Sequence, residues 1–177
     1  MRIIGGKYKG RIFHPGKKFT ARPTTDIAKE ALFNILANHH DLSEMKVLDL
    51  FSGTGSIGYE FISRGAMEVT FVEKNTKHVR FINEVIQKLE FTNARVFRDD
   101  VFRFLKNPRE KYDIVFADPP FDLPYLNEIP EAIFNSEVLT GNGLLILEHP
   151  KSFNFSGNSH FKQLRAYGKV NFSFFSA

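Results

Sequence analysis

The chain has 177 residues, no cysteine and a formal net charge of +4, with 42% hydrophobic and 25% charged residues. This balance of hydrophobic and charged residues is typical of one soluble domain with a hydrophobic core. The absence of cysteine excludes disulfides, thiolate zinc sites and cysteine nucleophiles. Because no apolar run approaches the ~20 residues of a membrane span and no signal segment follows Met1, we expect a cytoplasmic protein without a membrane anchor.

The first 22 residues form a basic segment that contains no acidic residue. Hydrophobic residues and the glycines Gly5, Gly6 and Gly10 interrupt its charges, which predicts a small hairpin rather than a disordered tail. Such a segment is often only a solvated edge, but its charge also suits a phosphate-bearing partner, and we favour the second interpretation. We treat residues 1–22 as an extension of the unit formed by residues 23–177. The predicted contacts with a nucleic acid are Arg2, Lys7, Lys9, Arg11 and Arg22.

A helix is predicted to begin at Thr24-Thr25-Asp26, where any of these side chains can cap its amino end, and to end near His39. From Met45 onward, strands and helices alternate with short connections. The predicted strands cover residues 47–51, 69–72, 94–97, 112–117 and 144–147, and the predicted helices cover 57–64, 79–89, 101–105 and 126–134. This alternation predicts an α/β fold with a parallel sheet that helices cover on both faces. Residues 161–167 and 170–175 predict a C-terminal antiparallel hairpin.

A glycine-rich loop connects the first predicted strand to the next helix. Gly53, Gly55 and Gly58 fit the pattern G-x-G-x-x-G, which provides a tight turn and a close approach of the backbone to a ligand at a helix amino end. The pattern alone is weak evidence, but its position between a strand and a helix favours a nucleotide site over an ordinary turn. Phe51, in the same loop, is counted among the cofactor-binding candidates.

Acidic residues after the strands indicate which nucleotide cofactor is bound. Glu73 ends the second strand, 20 residues after Gly53, where a carboxylate can accept hydrogen bonds from ribose hydroxyls. Asp49 favours S-adenosylmethionine over a dinucleotide, because a carboxylate repels pyrophosphate and attracts an ammonium group. The alternative is that Asp49 only accepts from the loop amides. Asp100 is a candidate acceptor for the adenine amino group, although Asp99 competes for this role and either residue could cap the next helix.

The tetrapeptide Asp118-Pro119-Pro120-Phe121 follows the fourth predicted strand. Its prolines stiffen the backbone and leave carbonyl oxygens free to accept. Hydrogen bonds from an amino group to Asp118 and to the Pro119 carbonyl would orient the nitrogen lone pair and stabilise the developing positive charge. Phe121 offers a ring for a flipped-out base, an interaction worth ~1–3 kcal/mol. We assign all four residues to the catalytic site; a proline-rich turn with Phe121 in the core is the alternative.

These motifs resemble those of the class I, Rossmann-like methyltransferases of amino groups. Residues 2–11, 22–26 and 30–34 narrow the resemblance to the bacterial RsmD family. The sequence resembles this family from Met1 to about His149, and the resemblance resumes weakly at Tyr167-Gly168 and Ser173-Phe174-Phe175. The resemblance implies a mostly parallel seven-stranded sheet, S-adenosylmethionine as cofactor and the N2 amine of a guanine in 16S ribosomal RNA as methyl acceptor. It further implies the small ribosomal subunit or an assembly intermediate as partner. The short stretch after Pro150 departs from the family, and a reduced last helix is expected there.

Three other functions share part of this pattern. A DNA adenine or cytosine amino-methyltransferase has the same Asp-Pro-Pro-Phe motif, but the chain has no evident extra domain for reading a DNA sequence. A dinucleotide-dependent oxidoreductase and a non-catalytic RNA-binding module are the remaining candidates. His39, His40 and His149 lack the spacing of metal ligands, so we expect no metal, and we expect a monomer.

Overall fold

The computed structural model describes residues 1–16 and 24–176. Arg22, one of the predicted nucleic-acid contacts, and the predicted boundary between residues 22 and 23 lie outside the described residues. The strands are β1 (Lys46–Leu50), β2 (Glu68–Glu73), β3 (Ala94–Arg98), β4 (Tyr112–Ala117), β5 (Leu139–Pro150), β6 (Phe161–Tyr167) and β7 (Val170–Ser176). They form one sheet in the order β3-β2-β1-β4-β5-β7-β6.

The strand directions confirm the predicted architecture. Neighbouring strands from β1 to β5 run parallel, whereas β7 runs antiparallel to β5 and to β6. The α-helices of the described residues are α1 (Asp26–His39), α2 (Ser56–Ser63), α3 (Thr76–Leu89), α4 (Val101–Lys106) and α5 (Ile129–Asn135). As predicted, a threonine caps α1: the Thr25 hydroxyl accepts a hydrogen bond from the Ala28 N–H at 3.3 Å. Among the described helices, none is long and apolar enough to cross a membrane.

Each face of the sheet has its own hydrophobic core because side chains alternate between the faces along a strand. Helices α1, α2 and α3 pack on one face, together with Val47, Phe116 and Ile146 from the strands. Helices α4 and α5 pack on the other face against Leu48 and Leu147. Both faces are therefore covered by helices, and the loops at the ends of the strands remain available for a site.

Two elements differ from their predicted bounds. β5 begins at Leu139 rather than at residue 144, because Leu139 pairs with Tyr112 and residues 140–143 form an irregularity before Leu144 resumes the pairing. The glycines of this stretch were typical of a turn. The predicted helix over 126–134 is divided into a 3-10 turn and α5, which has a proline at its first turn. As expected, the stretch after β5 contains no helix, and a loop joins β5 to β6.

The basic segment before α1 folds back on itself. Arg2 and Ile12 form an antiparallel bridge, and the Ile3 N–H donates to the Arg11 carbonyl oxygen at 3.0 Å. Ile3 and Phe13 are buried in the core beneath α1 and α2. The predicted hairpin is therefore present, although a single bridge takes the place of two regular strands.

Candidate functional site

The glycine loop and the Asp118 motif lie side by side at one edge of the sheet. β1 leads into the loop and β4 is its parallel neighbour, so both motifs follow the carboxyl ends of adjacent strands. The Asp118 N–H donates to the Leu50 carbonyl oxygen at 3.4 Å, which continues the strand pairing one residue beyond β4. β2 flanks β1 on the other side and ends at Glu73. We call the carboxyl ends of β1, β2, β4 and β5 the carboxyl edge.

The glycines of the loop meet definite steric requirements. Gly53 and Gly55 have φ angles of 54° and 79°, in the left-handed region that favours glycine. A Cβ atom on Gly58 would lie 2.1 Å from Cε1 of Phe71, so that α2 can approach β2 closely only with glycine at this position. The backbone turn and the helix packing therefore account for the G-x-G-x-x-G spacing.

A row of aromatic rings connects the glycine loop to the loop after Asp118. The centroid of the Phe51 ring lies 6.5 Å from that of Phe102 in α4, which lies 5.1 Å from that of Tyr125. Phe51 has a φ of 56°, a conformation that costs a non-glycine residue about 1–3 kcal/mol. Sequence analysis did not identify Phe102 or Tyr125, because isolated aromatic residues are more often part of a core.

Asp49 is buried beneath the glycine loop. Its Oδ2 accepts a hydrogen bond from the Gly58 N–H at 3.1 Å, and only 2% of the residue is exposed. The pKa of this carboxyl is raised to about 8. Burial is the main cause and the nearby Glu73 adds to it, whereas the hydrogen bond from Gly58 acts in the opposite direction. The bond to the loop region is thus present, and the predicted attraction of an ammonium group stays a prediction.

Glu73 joins the glycine loop to the start of α3. Its Oε2 accepts from the Gly53 N–H at 2.8 Å and its Oε1 accepts from the Asn75 N–H at 2.7 Å. A carboxylate oxygen can accept more than one hydrogen bond, so capacity for ribose hydroxyls remains. The ribose contact itself stays a prediction.

The two aspartates after β3 have different local partners. Asp100 caps α4 by accepting from the N–H groups of Phe102 at 3.0 Å and Arg103 at 3.4 Å. Asp99 accepts from the Asp100 N–H at 2.8 Å and forms an ion pair with Arg103. Helix capping by Asp100, one of the two alternatives, is therefore present. The adenine contact predicted for Asp100 stays a prediction.

The Asp118 motif presents both a carboxyl group and a ring at the carboxyl edge. Asp118 is mostly buried but not fully covered, Pro119 is buried and Pro120 is exposed. Phe121 is 42% exposed, so the alternative that places its ring in the core is wrong. Burial of the carboxyl group, together with Glu148 and Asp49, raises the pKa of Asp118 well above its usual range.

Sequence analysis missed Glu148, which lies at the end of β5. It is 3% exposed, and its Oε2 accepts a hydrogen bond from the Thr24 hydroxyl at 2.6 Å. Burial raises the pKa of Glu148 to about 7, against the effect of this hydrogen bond. The sequence contained a signal for Glu148, since this acidic residue follows the apolar run of β5. In the same way, Glu73 ends the apolar run of β2 and Asp118 follows that of β4.

The carboxyl edge holds acidic groups without basic partners. Among the residues that the structure describes, no ion pair joins Asp49, Asp118 or Glu148 to a lysine or arginine. Buried carboxyl groups in this state either keep a proton or await a cation. The arrangement is therefore suited to a positively charged ligand.

The basic segment is fastened to α2, the helix that begins at the glycine loop. The buried carboxylate of Glu60 accepts from the N–H groups of Ile4 and Gly5, both at 2.8 Å. The Ser63 hydroxyl donates to the Gly5 carbonyl oxygen at 2.5 Å and accepts from the Tyr8 N–H at 3.0 Å. Glu60 and Ser63 lie in the second half of α2, so the segment is fixed to the part of this helix that lies away from the glycine loop.

The predicted nucleic-acid contacts in this segment are exposed. Lys7, Lys9 and Arg11 are open to solvent, whereas Arg2 pairs with Asp26 at 3.0 Å. Sequence analysis missed Lys29 of α1, which is 1% exposed and donates to the Arg2 carbonyl oxygen at 2.6 Å and to the Ser56 hydroxyl at 3.1 Å. Burial lowers the pKa of Lys29.

No metal centre is found in residues 1–16 and 24–176, where no group of three or more acidic or histidine side chains could hold an ion. His149 is buried between β5 and β7, with its Nε2 2.8 Å from the Ser173 hydroxyl oxygen. Its Nδ1 lies 3.0 Å from the Pro150 carbonyl oxygen. Both ring nitrogens of His149 are therefore engaged within the sheet.

Comparison with known families gives a match over nearly the whole chain. The family model described as "Conserved hypothetical protein 95" matches residues 1–176. "Ribosomal RNA small subunit methyltransferase D" of Buchnera aphidicola is 34% identical over 154 residues, which cover 87% of this chain and 78% of that protein. The protein of the same name from Escherichia coli K12 is 33% identical over 148 residues, covering 84% of this chain and 74% of its own.

Solved structures show the same fold. The putative methyltransferase yhhF of Escherichia coli has a TM-score of 0.86 at 30% identity, covering 100% of this chain and 98% of its own. SMU.776, a putative methyltransferase complexed with SAH, has a TM-score of 0.68 at 19% identity, covering 84% of this chain and 49% of its own. The latter likeness concerns the fold alone. Since the family model and both relatives extend over most of a chain with this fold and these motifs, the chain belongs to the RsmD family of class I methyltransferases.

Proposed function

We propose that the protein transfers a methyl group from S-adenosylmethionine to the exocyclic N2 amine of a guanine in 16S ribosomal RNA. The observation that carries this proposal is the position of the glycine loop beside the Asp118 motif at the carboxyl edge. A methyl donor held by the loop and an amine held by Asp118 would be close neighbours there. The names of the curated relatives support ribosomal RNA of the small subunit as the substrate.

The residues of the carboxyl edge fit S-adenosylmethionine better than a dinucleotide. The cofactor supplies an electrophilic methyl group on a sulfonium, and its methionine part carries an ammonium group. Asp49, buried and without a basic partner among the described residues, suits such positive charge and opposes a pyrophosphate. Glu73 stands beside the loop with capacity for ribose hydroxyls, and Asp100 remains our candidate for the adenine amino group.

The chain's own residues would prepare the amine for methylation. An amino group conjugated to a base is a poor nucleophile, and acceptors at Asp118 and the Pro119 carbonyl would orient its lone pair. The same acceptors would stabilise the positive charge that develops on nitrogen. Phe121, exposed beside them, would stack on the flipped-out base.

The basic segment supports an RNA substrate. Lys7, Lys9 and Arg11 are exposed on a loop that Glu60 and Ser63 fix to the half of α2 away from the cofactor loop, so phosphate contacts there would hold a part of the RNA that lies beyond the methylated base. Arg2, already paired with Asp26, is the weaker candidate. We expect a monomer, with the small ribosomal subunit or an assembly intermediate as its partner.

Transfer of an isotopically labelled methyl group tests the proposal. Purified protein is incubated with labelled S-adenosylmethionine and either naked 16S RNA, small-subunit particles or DNA, and the labelled nucleoside is identified by mass spectrometry. Label on guanine N2 of the RNA substrates is expected. Label on DNA adenine or cytosine would favour the DNA methyltransferase instead, and absence of label from all substrates would contradict both functions.

Asp118→Asn is the variant that tests the assigned mechanism. Loss of the carboxylate should lower the transfer rate about 10²–10⁴-fold, because the amide oxygen can still accept a hydrogen bond but lacks the negative charge that stabilises the developing charge on nitrogen, while cofactor affinity is retained. The matched control is Asp122→Asn, which removes an exposed carboxylate four residues further along and should leave the rate unchanged. Wild-type rates in Asp118→Asn, or loss of cofactor binding in this variant, would remove Asp118 from the catalytic role.

A further inference from the structure

Three acidic side chains project from the same face of the sheet at the carboxyl edge. Asp49 of β1 is in register with Phe116 of β4, which is in register with Ile146 of β5. Asp118 lies two residues after Phe116, and Glu148 lies two residues after Ile146. Residues that are two apart along a strand share a face of the sheet. Asp118 and Glu148 are therefore neighbours on adjacent strands, with Asp49 on the next strand.

The surroundings of Glu148 contain no described cation that would neutralise it. The Thr24 hydroxyl, immediately before α1, donates to its Oε2, and the uncharged Phe172 faces it in register from β7. From β4 and β1, the titratable groups on this face are Asp118 and Asp49. Lys29 of α1 donates instead to the Arg2 carbonyl oxygen and the Ser56 hydroxyl.

Two neighbouring buried carboxyl groups cannot both ionise without a large electrostatic cost, and such groups titrate as a pair. Glu148 is one of the causes that raise the pKa of Asp118, and burial raises the pKa of Glu148 itself to about 7. The ionisation of either group therefore depends on the other.

We propose that Glu148 is a positioning residue that forms a carboxyl pair with Asp118 and sets the pH at which Asp118 ionises to receive an amine. This inference rests on the proposed function. An amine nitrogen gives up one proton for each methyl group that it gains, so the site needs an ionised carboxylate as hydrogen-bond and proton acceptor. The Thr24 hydroxyl favours the charged form of Glu148, and a charged Glu148 makes Asp118 keep its proton up to a higher pH, so Glu148 raises the pH above which Asp118 can accept from the amine.

Nuclear magnetic resonance of the protein without cofactor tests the pair directly. With ¹³C-labelled aspartate carboxyl groups, the Asp118 resonance is the one that Asp118→Asn removes. In Glu148→Gln the neighbouring charge is absent, so the titration midpoint of Asp118 should move down by about one pH unit or more. The matched control, Glu131→Gln, removes an exposed carboxylate from α5 on the opposite face and should leave the midpoint unchanged. An unchanged midpoint in Glu148→Gln, or an equal shift in the control, would overturn the inference.

Thr24→Val provides a second variant that retains both carboxyl groups. The Thr24 hydroxyl favours the charged form of Glu148, so its loss should keep Glu148 neutral over a wider pH range. The Asp118 midpoint should then fall by less than in Glu148→Gln but in the same direction. A midpoint that rises in Thr24→Val would contradict the pair.

The pH profile of methyl transfer connects the pair to the reaction. In Glu148→Gln the acid limb should move to lower pH by the same amount as the Asp118 midpoint, whereas a purely structural role would lower the rate at every pH and leave the limb in place. If the Asp118 midpoint shifts in Glu148→Gln but the wild-type protein methylates no guanine, the proposed function is contradicted and the carboxyl pair is supported. Normal transfer with an unshifted resonance would contradict the pair alone.

Discussion

Acidic side chains are paired with lysine or arginine at the amino ends of the strands but not at the carboxyl edge, among the residues that the structure describes. At the edge formed by the amino ends of the strands, Glu110 accepts from Lys46 and from Arg95, each at 2.7 Å, and Arg95 also pairs with Glu68 at 2.8 Å. At the carboxyl edge, Asp49, Asp118 and Glu148 lack such partners among the described residues. The comparison indicates that charge at the first edge is neutralised within the fold, whereas the carboxyl groups at the second have no lysine or arginine partner among the described residues.

The largest difference between the edges is expected in cofactor binding. Asp49→Asn removes a buried carboxyl group that we expect to ionise opposite the cofactor's ammonium group, so affinity for S-adenosylmethionine should fall at least about tenfold. Glu110→Gln, the corresponding change at the opposite edge, should leave the affinity unchanged because Glu110 already has partners in the chain. Titration calorimetry measures both. Equal losses in the two variants would remove the distinction between the edges.

The pH dependence of stability sharpens the same comparison. The pKa values of Glu148, about 7, and Asp49, about 8, lie above those of unfolded chains, so the stability they contribute is present below about pH 4 and is lost as the pH rises through 7 and 8. Without cofactor, the free energy of unfolding should therefore fall from pH 5 to pH 8.5. Each group contributes a slope of at most about 1.4 kcal/mol per pH unit.

Chemical denaturation across this pH range checks the prediction, with Glu148→Gln expected to flatten the slope. Glu110→Gln serves as the matched control, since its charge is balanced by Lys46 and Arg95. If the free energy of unfolding of the wild-type protein rises over the same interval, the pKa values of Glu148 and Asp49 are not raised in the folded state and the prediction is wrong.

The smallest effect is expected from breaking the ion pairs at the opposite edge. Arg95 is 54% exposed on its side chain, and exposed ion pairs contribute about 0–1 kcal/mol. Arg95→Ala should therefore lower the free energy of unfolding by no more than this and leave methyl transfer unchanged, as measured by denaturation and by the labelled-methyl assay. A marked loss of transfer would mean that the two edges are coupled through β2 and β3.

Hydrophobic patterning predicted most of the strands and helices because a buried strand and an amphipathic helix each have a characteristic spacing of apolar residues within their own segment. The glycine loop and the Asp118 motif were equally visible, since each is contiguous in the chain and follows a strand. The start of β5 was missed because the glycines of residues 140–143 are typical of a turn, whereas pairing with Tyr112 holds Leu139 in the sheet.

The remaining parts of the site depend on contacts between distant segments. Glu148 and Thr24 are 124 residues apart, and only the packing of α1 against the sheet brings them within 2.6 Å. In the sequence, Lys29 resembles an ordinary lysine on a helix surface, but in the structure the basic segment covers it. The position of Glu148 after an apolar run marked the residue itself, but neither its contact with Thr24 nor the burial of Lys29 has a local sequence signal, since isolated acidic and basic residues are usually solvated.

Calorimetric titration of the purified protein with S-adenosylmethionine and with NAD tests most directly whether the carboxyl edge is built for a cationic cofactor. We predict binding of S-adenosylmethionine at one site per chain and no measurable heat with NAD. Binding of NAD without binding of S-adenosylmethionine would contradict the account.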